Sequence, residues 1–326
     1  MSLTVEPRGS IASGFRALRH GKLILLLLLT TLVLGGIAAM PLAAVFRTDF
    51  TGTLIGDHLV RNSPSLAPTD FVDFYEKKAD AFHGARHTAN AAGILGVLLQ
   101  AFFAGGIVVV LGRGPFAFGQ FFEPARRNLW HNVKCLLLFA PALVAVVGGW
   151  LGGAIAASHK LLEDAPPEAA SRTAAWWATL LIGLLLFGAL SLVYDFARAA
   201  RRYAPTIGAW RSARFAWRVL GGAWLRAMGL FVFWFLLGAL VVGVGVGAVW
   251  LLPAVSRPAI ALLVAVQLAA LALRSAVRVG AWGSYLAFLD SRAGSALAAP
   301  DARRTLAVPA AAPAPDPGLT FSRPTP

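Results

Sequence analysis

The chain has 326 residues, of which 58% are hydrophobic and only 13% are charged, and its mean hydropathy is +0.69. Ordinary soluble domains contain about a quarter charged residues, so this balance excludes a typical soluble globular protein. The formal net charge is +14. Because long apolar blocks separate the basic segments, we expect this charge to meet the anionic headgroups of membrane lipids, and we expect no nucleic acid partner.

Six apolar stretches are long enough to cross a membrane, since a hydrocarbon core of about 30 Å takes about 20 helical residues. They lie at about 23–46, 91–111, 135–157, 174–195, 228–252 and 259–289. The sequence therefore predicts an all-α, polytopic membrane helix bundle with six transmembrane helices in three hairpins. This domain, 23–290, follows an N-terminal amphipathic segment, 1–22, and precedes an Ala/Pro-rich tail, 291–326, that we expect to be disordered.

The distribution of basic residues predicts the orientation, because short loops rich in Lys and Arg stay in the cytoplasm. With the N-terminus inside, cytoplasmic segments hold 19 of the 29 Lys and Arg residues, while the external loops, led by 47–90, hold 8. Both termini are therefore expected to be cytoplasmic. Arg outnumbers Lys by 24 to 5, which is typical of a GC-rich bacterial genome, so we expect a bacterial inner membrane.

A short amphipathic segment precedes each odd-numbered span and predicts a cytoplasmic elbow helix there. Before the first span, after Ser10 as a candidate N-cap, the apolar positions are Ile11, Phe15 and Leu18. The segment before the third span covers 122–134. Before the fifth, after Thr206 as a candidate N-cap, tryptophans and arginines form two strips suited to the headgroup interface: Trp210, Trp217, Trp224, Arg211, Arg214 and Arg218. One interpretation is that these helices bind lipid or a partner protein. The interpretation we favour is that they only set the angle at which each hairpin enters the membrane.

The long external loop contains a segment, 69–85, with the pattern of an amphipathic helix. Near its end, Asp80, His83 and His87 follow the spacing i, i+3 and i+7, which would place three metal ligands on one helical face. We favour a solvated polar face, because the glutamate of a zinc-protease helix is missing and Gly84 weakens the helix. No cofactor is expected.

Five polar residues within or at the ends of the spans are informative, because polar groups at membrane depth are costly and need partners. They are Asp195, Arg274, Arg278, Gln267 and Gln100. At 1.5 Å per residue, Asp195 and Arg278 lie at the same distance from the external surface. We expect Asp195 to pair with Arg274 or Arg278 and to lock the second and third hairpins together. The alternatives are a relay for protons or substrate, joined by the glutamines, and simple snorkelling.

Two groups of glycines lie inside the spans. The third span contains Gly148, Gly149, Gly152 and Gly153, and the fifth contains Gly243, Gly245 and Gly247. A nucleotide-binding loop would follow a strand, and these glycines lie in apolar helical stretches. Small residues let membrane helices approach closely, so we expect close helix packing at both places.

The run 192–220, LVYDFARAARRYAPTIGAWRSARFAWRVL, carries an aspartate and arginines out of the fourth span and continues into an Arg-Trp segment. Together with 273–285, which contains two arginines, it resembles uncharacterised bacterial six-helix membrane proteins, which are similar to the membrane domain of some glycerophosphodiester phosphodiesterases. The resemblance covers the order of elements from about residue 10 to 290. The tyrosine typical after the aspartate is Phe196 here, and no phosphodiesterase domain is recognised in the sequence. The resemblance therefore implies a non-enzymatic membrane domain.

Two functions follow from these observations. The first is an accessory, anchoring or scaffold protein of the membrane, with lipids and either a protein partner or a second copy as its partners. The second is a transporter or channel for a small or lipidic molecule, which should show polar groups along a path near the midplane. An intramembrane enzyme acting on lipid is a weaker alternative, since only the neighbourhood of Asp195 and Arg274 offers convergent titratable groups.

Overall fold

The computed structural model describes residues 7–50, 79–113, 116–153, 169–251 and 257–298. Every regular element within these ranges is a helix. In chain order they are α1 (Pro7–Ala17), α2 (Gly21–Phe50), α3 (Ala79–Arg113), α4 (Phe118–Val144), α5 (Ala169–Ala199), α6 (Ala209–Gly221), α7 (Trp224–Leu251) and α8 (Arg257–Ala298). A π-helical turn, Ala145–Leu151, continues α4, and a 3-10 turn, Ala200–Arg202, continues α5.

Six of these helices, α2 to α5, α7 and α8, are long and apolar enough to cross a membrane. The prediction of six membrane helices is therefore confirmed. Helix α2 contacts α3, α4 contacts α5, and α7 contacts α8, while α8 also contacts α2 and α3. The predicted helix at 69–85 lies mostly outside the described residues.

The interior of the bundle is concentrated toward one end. The densest groups of buried residues lie within 101–110 of α3, 192–200 of α5 and 279–289 of α8. At the same end lie α1, α6 and most of the described arginines, and we call it the arginine-rich end. Toward the other end the helices expose apolar side chains such as Val244 and Leu262, a surface that is stable only where lipid covers it.

Two adjacent glycines fix the contact between α3 and α4. A side chain at Gly105 would lie 2.9 Å from the carbonyl oxygen of Pro124, and one at Gly106 would lie 2.6 Å from the ring of Phe121. The first turns of α4 therefore pack directly on α3. The separate elbow helix predicted before the third span is absent from this described region, because α4 begins at Phe118 and runs without a break into the span.

Helix α1 packs across α8 through small residues. Its buried positions are Ser10, Gly14 and Ala17, whereas Phe15, on the predicted apolar stripe, is 49% exposed. Small residues let the two helix backbones approach, so this face, rather than the larger apolar side chains, makes the contact. Ser10 lies inside α1, which begins at Pro7, and the predicted N-cap there is wrong.

Helix α7 packs against the contact between α1 and α8. Trp234 of α7 lies over Gly280 of α8 and donates a hydrogen bond from Nε1 to Ser284 Oγ at 2.9 Å. A side chain at Gly14 would lie 2.7 Å from the carbonyl oxygen of Gly280. Helices α1, α7 and α8 therefore meet where only glycine leaves room.

Helix α6 turns one face to the bundle and the other outward. Its buried residues are Ser212, Phe215, Ala216, Val219 and Leu220. Trp210 and Trp217 are 59% and 63% exposed, and the ring of Trp217 lies 5.8 Å from that of Trp224. Gly208 occupies the N-cap, so the prediction of Thr206 at that position is wrong.

Two further predictions need correction. At Gly148, Gly149, Gly152 and Gly153 an added side chain would meet no atom within 4 Å, as also at Gly243 and Gly247. These glycines do not form the expected close contacts within the described residues, and only Gly245 approaches α8, at Ala270 and Gln267. The final helix extends to Ala298, so residues 291–298, which we assigned to a disordered tail, are helical.

Replacing Gly14 with leucine is expected to lower the thermal stability of the detergent-solubilised protein. The new side chain would overlap the α8 backbone, and overpacking of this kind costs about 1–3 kcal/mol. Ala12→Leu, on the exposed side of the same helix, is the matched control. Size-exclusion chromatography after heating gives the midpoint temperature of denaturation for each variant. Equal midpoints for the two variants would contradict the packing described for α1.

Candidate functional site

Arg198 is the most heavily surrounded charge at the arginine-rich end. It lies on α5, and its side chain is only 6% exposed. Its Nη2 pairs with Asp195 Oδ1, one helical turn earlier. The guanidinium also lies 4.1 Å from the ring centre of Tyr194 and 5.1 Å from that of Trp282 on α8. An ion pair and two aromatic faces thus stabilise a cation inside an apolar bundle.

The predicted role of Asp195 changes accordingly. Its ion pair is with Arg198 of its own helix, and no ion pair to Arg274 or Arg278 is present among the described residues. Arg278 lies within electrostatic range of both Asp195 and Arg198. The contact that joins α5 to α8 is instead aromatic, because Trp282 covers Arg198. Asp195 therefore neutralises the cation that bridges these helices and does not form the bridge itself.

Further aromatic contacts between the same helices support the bridge. Phe196 of α5 lies 6.1 Å from the ring of Tyr285 and 5.9 Å from that of Phe288. Phe196 is 1% exposed. The aromatic side chains on α8 thus surround α5 on either side of Arg198.

A groove of about 380 Å³ opens between α2, α3 and α8. One part of its wall is polar, and that part consists of Thr31, Gln100, Arg274, Ser275 and Arg278. The remaining wall is apolar, and much of it is made of small residues, which are Gly35, Ala38, Ala89, Ala92, Gly93 and Gly96. The groove is therefore amphiphilic, with two cations on one wall and room for an apolar chain along the other.

A smaller cavity of about 40 Å³ continues from the groove toward Arg198. Arg278, Gln100 and Thr31 line both spaces, and Arg198 and Trp282 line only the smaller one of the two. One ordered water needs at least about 10–15 Å³, so this cavity has room for only a few waters. Arg278 and Arg198 thus face the same small space from α8 and α5.

The structure brings together three of the five predicted polar residues. Gln100, Arg274 and Arg278 line the groove. Asp195 does not line the groove, and its partner Arg198 lines only the smaller cavity beside it. Gln267 is separate, because its Nε2 donates a hydrogen bond to the carbonyl oxygen of Gly245 at 2.6 Å and thereby ties α8 to α7.

Sequence analysis missed Arg198 and Thr31. The spacing of Arg198 from Asp195, i and i+3, and from Tyr194, i and i+4, places all three on one helical face. That spacing was available as a signal for Arg198. Thr31 had no comparable signal, since threonine hydroxyls inside membrane helices commonly bond to their own backbone, as Thr31 does to the carbonyl of Leu27 at 2.8 Å.

The candidate metal ligands do not form a site in the described region. His83 and His87 are exposed, and the side chain of Asp80 lies outside the described residues. The search of the described residues finds no group of three His, Cys, Asp or Glu side chains arranged to hold a metal ion. His83 and His87 thus lie on an exposed helical surface, and the predicted set that includes Asp80 extends outside the described side chains.

A buried histidine lies near two nucleophilic side chains. His131 Nε2 is 3.5 Å from Cys135 Sγ and 3.5 Å from Ser212 Oγ, and it is also 3.5 Å from the carbonyl oxygen of Ala197. The histidine is 2% exposed, and Cys135 and Ser212 are fully buried. His131, Cys135 and Ser212 thus form a buried polar contact that joins α4 to α5 and α6.

A polar cluster ties the end of the fourth span to the end of the sixth. Tyr203 donates its hydroxyl hydrogen bond to Asp290 Oδ1, and Arg202 Nη2 lies 3.2 Å from Asp290 Oδ2. Burial, together with the bond to Asp290, raises the pKa of Tyr203 above its ordinary value. The tyrosine therefore stays neutral in the folded protein at a pH where a free tyrosine loses its proton.

Comparison with known proteins finds no matching family model, no matching curated protein and no matching solved structure. The likeness to bacterial six-helix membrane proteins stays a prediction. The chemistry of Arg198 and of the groove is therefore the basis on which a function is inferred.

Replacing Asp195 with asparagine is expected to destabilise the protein strongly. It leaves Arg198 buried without a counter-charge, and breaking a buried pair costs about 3–5 kcal/mol. Glu123→Gln is the control, because the ion pair of Glu123 with Arg126 is 3.4 Å long and exposed on both sides; such pairs contribute about 0–1 kcal/mol. Titration with SDS in mixed micelles reports the free energy of unfolding. A loss no larger for Asp195→Asn than for the control would refute the role given to this pair.

The raised pKa of Tyr203 predicts a loss of stability at high pH. A free tyrosine has a pKa of about 10. Below this pH, Tyr203 is protonated in both the folded and the unfolded protein, and its contribution to stability is fully present. As the pH rises from there through the folded pKa, the unfolded protein loses its proton first, and this contribution is lost. Tyr203→Phe removes the part of the pH dependence of stability that is due to the ionisation of Tyr203. The difference in absorbance at 295 nm between the wild type and Tyr203→Phe should show no tyrosinate at pH 11 while the protein is folded. Ionisation of this tyrosine near pH 10 in the folded protein would be the contrary result.

Proposed function

We propose that this chain is a non-enzymatic integral membrane protein that binds the headgroup of an anionic lipid in the groove between α2, α3 and α8. The observation that carries the proposal is the pair Arg274 and Arg278, which line the groove and have no ion pair among the described residues. Two unneutralised cations at membrane depth are costly unless an anion joins them. The bilayer supplies such an anion as lipid phosphate.

The geometry of the two arginines suits phosphate. They lie one helical turn apart on α8, so both guanidinium groups reach the same wall of the groove. Guanidinium groups bind phosphate oxygens through paired, charge-assisted hydrogen bonds. Gln100 and Thr31, on the facing helices, add further hydrogen-bonding groups.

The small residues of α2 and α3 that line the groove suit an acyl chain. Glycines and alanines of α2 and α3 leave space there, at Gly35, Gly93 and Gly96 among others. An added side chain at Gly35 or Gly93 would meet no atom within 4 Å. A ligand with a charged head and an apolar tail therefore fits this groove better than a small hydrophilic ion.

The titratable groups of the groove favour binding over catalysis. Arg274 and Arg278 are the only ionisable side chains among the described residues that line it. Arginine stays protonated in proteins and serves poorly as a general acid or base. A hydrolase would need a nucleophile or a base in the same space.

The proposed placement in the membrane is a bacterial inner membrane, with three hairpins and with the arginine-rich end in the cytoplasm. The exposed tryptophans of α6 support it, because tryptophan prefers the interface between lipid and water. The arginines of the same helix support it too, and Arg214 lies 5.3 Å from the ring centre of Trp210. In this arrangement α1 and α6 lie at the inner interface as elbow helices. An accessory or anchoring role follows from a lipid held in this way.

The proposal predicts that Arg274→Gln lowers the amount of anionic lipid that purifies with the protein. Loss of a charge-assisted hydrogen bond costs about 1.5–3 kcal/mol, or roughly a tenfold or greater loss of affinity. Native mass spectrometry after delipidation and titration with phosphatidic acid gives the occupancy. Arg126→Gln, an exposed arginine outside the groove, should leave occupancy unchanged. Equal lipid binding by Arg274→Gln and the wild type would reject the groove as the site.

Transport of the same amphiphile is the second candidate function. It is favoured by Arg198, which lines both the small cavity beside the groove and a larger cavity at the arginine-rich end. Transport would require Arg198 to leave its position between Tyr194 and Trp282. Reconstituted protein that moves a fluorescent phosphatidic acid between leaflets would support transport, and protein that binds this lipid without moving it would support anchoring.

A further inference from the structure

A second, larger cavity lies at the arginine-rich end, between α3, α4 and the end of α5. Its volume is about 560 Å³, within the range of about 300–1,000 Å³ that is usual for small-molecule sites. Its polar lining residues are Glu123, Arg127, Asn128, Arg198, Arg201 and Arg202. None of the groove residues Thr31, Gln100, Arg274 and Arg278 is among its lining.

The cavity carries an excess of positive charge. Four of its lining residues are arginines and one, Glu123, is acidic. Glu123 is itself paired with Arg126 on the exposed surface of α4. Arg201 lies within electrostatic range of Arg127, and these like charges repel each other across the space. An anion between them would convert this repulsion into attraction.

The arginines are held in place around the cavity. Arg201 Nη1 donates a hydrogen bond to Asn128 Oδ1 at 3.4 Å. Arg202 lies against Gly112, where any side chain would come within 2.8 Å of its Cζ, and its Nη2 is fixed by Asp290 at 3.2 Å. The absence of a side chain at Gly112 thus leaves the guanidinium of Arg202 its place in the wall.

Two of these side chains retain unused hydrogen-bond donors. The Nε atoms of Arg198 and Arg201 are buried and have no partner among the described residues. Arg198 is more than nine-tenths buried and lines the cavity. Buried donors without acceptors are rare in folded proteins and call for an explanation. A bound oxyanion supplies acceptors at this point.

We propose that this cavity binds a soluble, phosphate-bearing anion with at least two negative charges. Several arginines that converge on one space favour phosphate, whose oxygens accept paired hydrogen bonds from guanidinium groups. The cavity lacks the long wall of glycine and alanine found in the groove, so a free phosphorylated molecule fits it better than a lipid. The site is distinct from the groove and does not depend on the lipid bound there.

The test uses the full chain, purified in an uncharged detergent and titrated with inorganic pyrophosphate in a calorimeter. Arg127→Gln removes an exposed lining cation and should weaken binding about tenfold, the effect of one charge-assisted hydrogen bond. Arg218→Gln removes an exposed arginine of α6 that does not line the cavity, and it should bind as the wild type does. Arg201→Gln provides a second variant, and its elution profile on size exclusion checks that it folds. Pyrophosphate binding that is absent, or equal in all four proteins, would overturn the proposal.

Three further measurements separate this site from the groove and from lipid headgroups. Arg274→Gln should bind pyrophosphate normally, whereas Arg127→Gln should bind phosphatidic acid normally in native mass spectrometry. In nanodiscs of phosphatidylcholine, pyrophosphate affinity should stay the same when phosphatidic acid is added. Complete competition by phosphatidic acid would assign the cavity to lipid headgroups and overturn the proposal of a soluble ligand.

Discussion

The bundle depends on one buried cation, Arg198. Its charge is balanced by Asp195 on the same helix, and its flat guanidinium lies between the rings of Tyr194 and Trp282. Because Trp282 belongs to α8, this interaction joins the fourth and sixth membrane helices. Arg198 also lies between two polar spaces, since it lines both the small cavity beside the groove and the cavity at the arginine-rich end. A single side chain therefore connects the stability of the bundle with both candidate binding sites.

Close helix contacts depend on glycines at a few positions. The first turns of α4 pack directly on Gly105 and Gly106, and the ring of Trp234 packs on Gly280. Other glycines in the spans, including Gly148 and Gly243, face open space in the described structure. In the sequence, the glycines that make close helix contacts and those that face open space lie in similar apolar stretches. What distinguishes them is a bulky side chain or a backbone on the neighbouring helix, and that information lies elsewhere in the chain.

The number of membrane helices could be predicted because hydrocarbon thickness imposes a length that is readable from composition alone. The convergence of Gln100, Arg274 and Arg278 was also within reach, since polar residues in apolar helices turn toward one another. The pairing of Asp195 was missed although its i, i+3 spacing to Arg198 was readable, because arginines on two different helices could balance the same charge. The face that α1 buries was missed for a related reason: hydrophobic periodicity identifies large apolar side chains, whereas this contact is made by Ser10, Gly14 and Ala17.

The contact between α1 and α8 has a consequence for biosynthesis. Its two halves lie far apart in the sequence, so α1 leaves the ribosome well before α8 is available to cover its small-residue surface. Until then Gly14 has neither Gly280 nor Trp234 beside it. The contact between α1 and α8 forms only after α8 has been synthesised, and a chain truncated before α8 would leave the small-residue face of α1 accessible to proteases and chaperones.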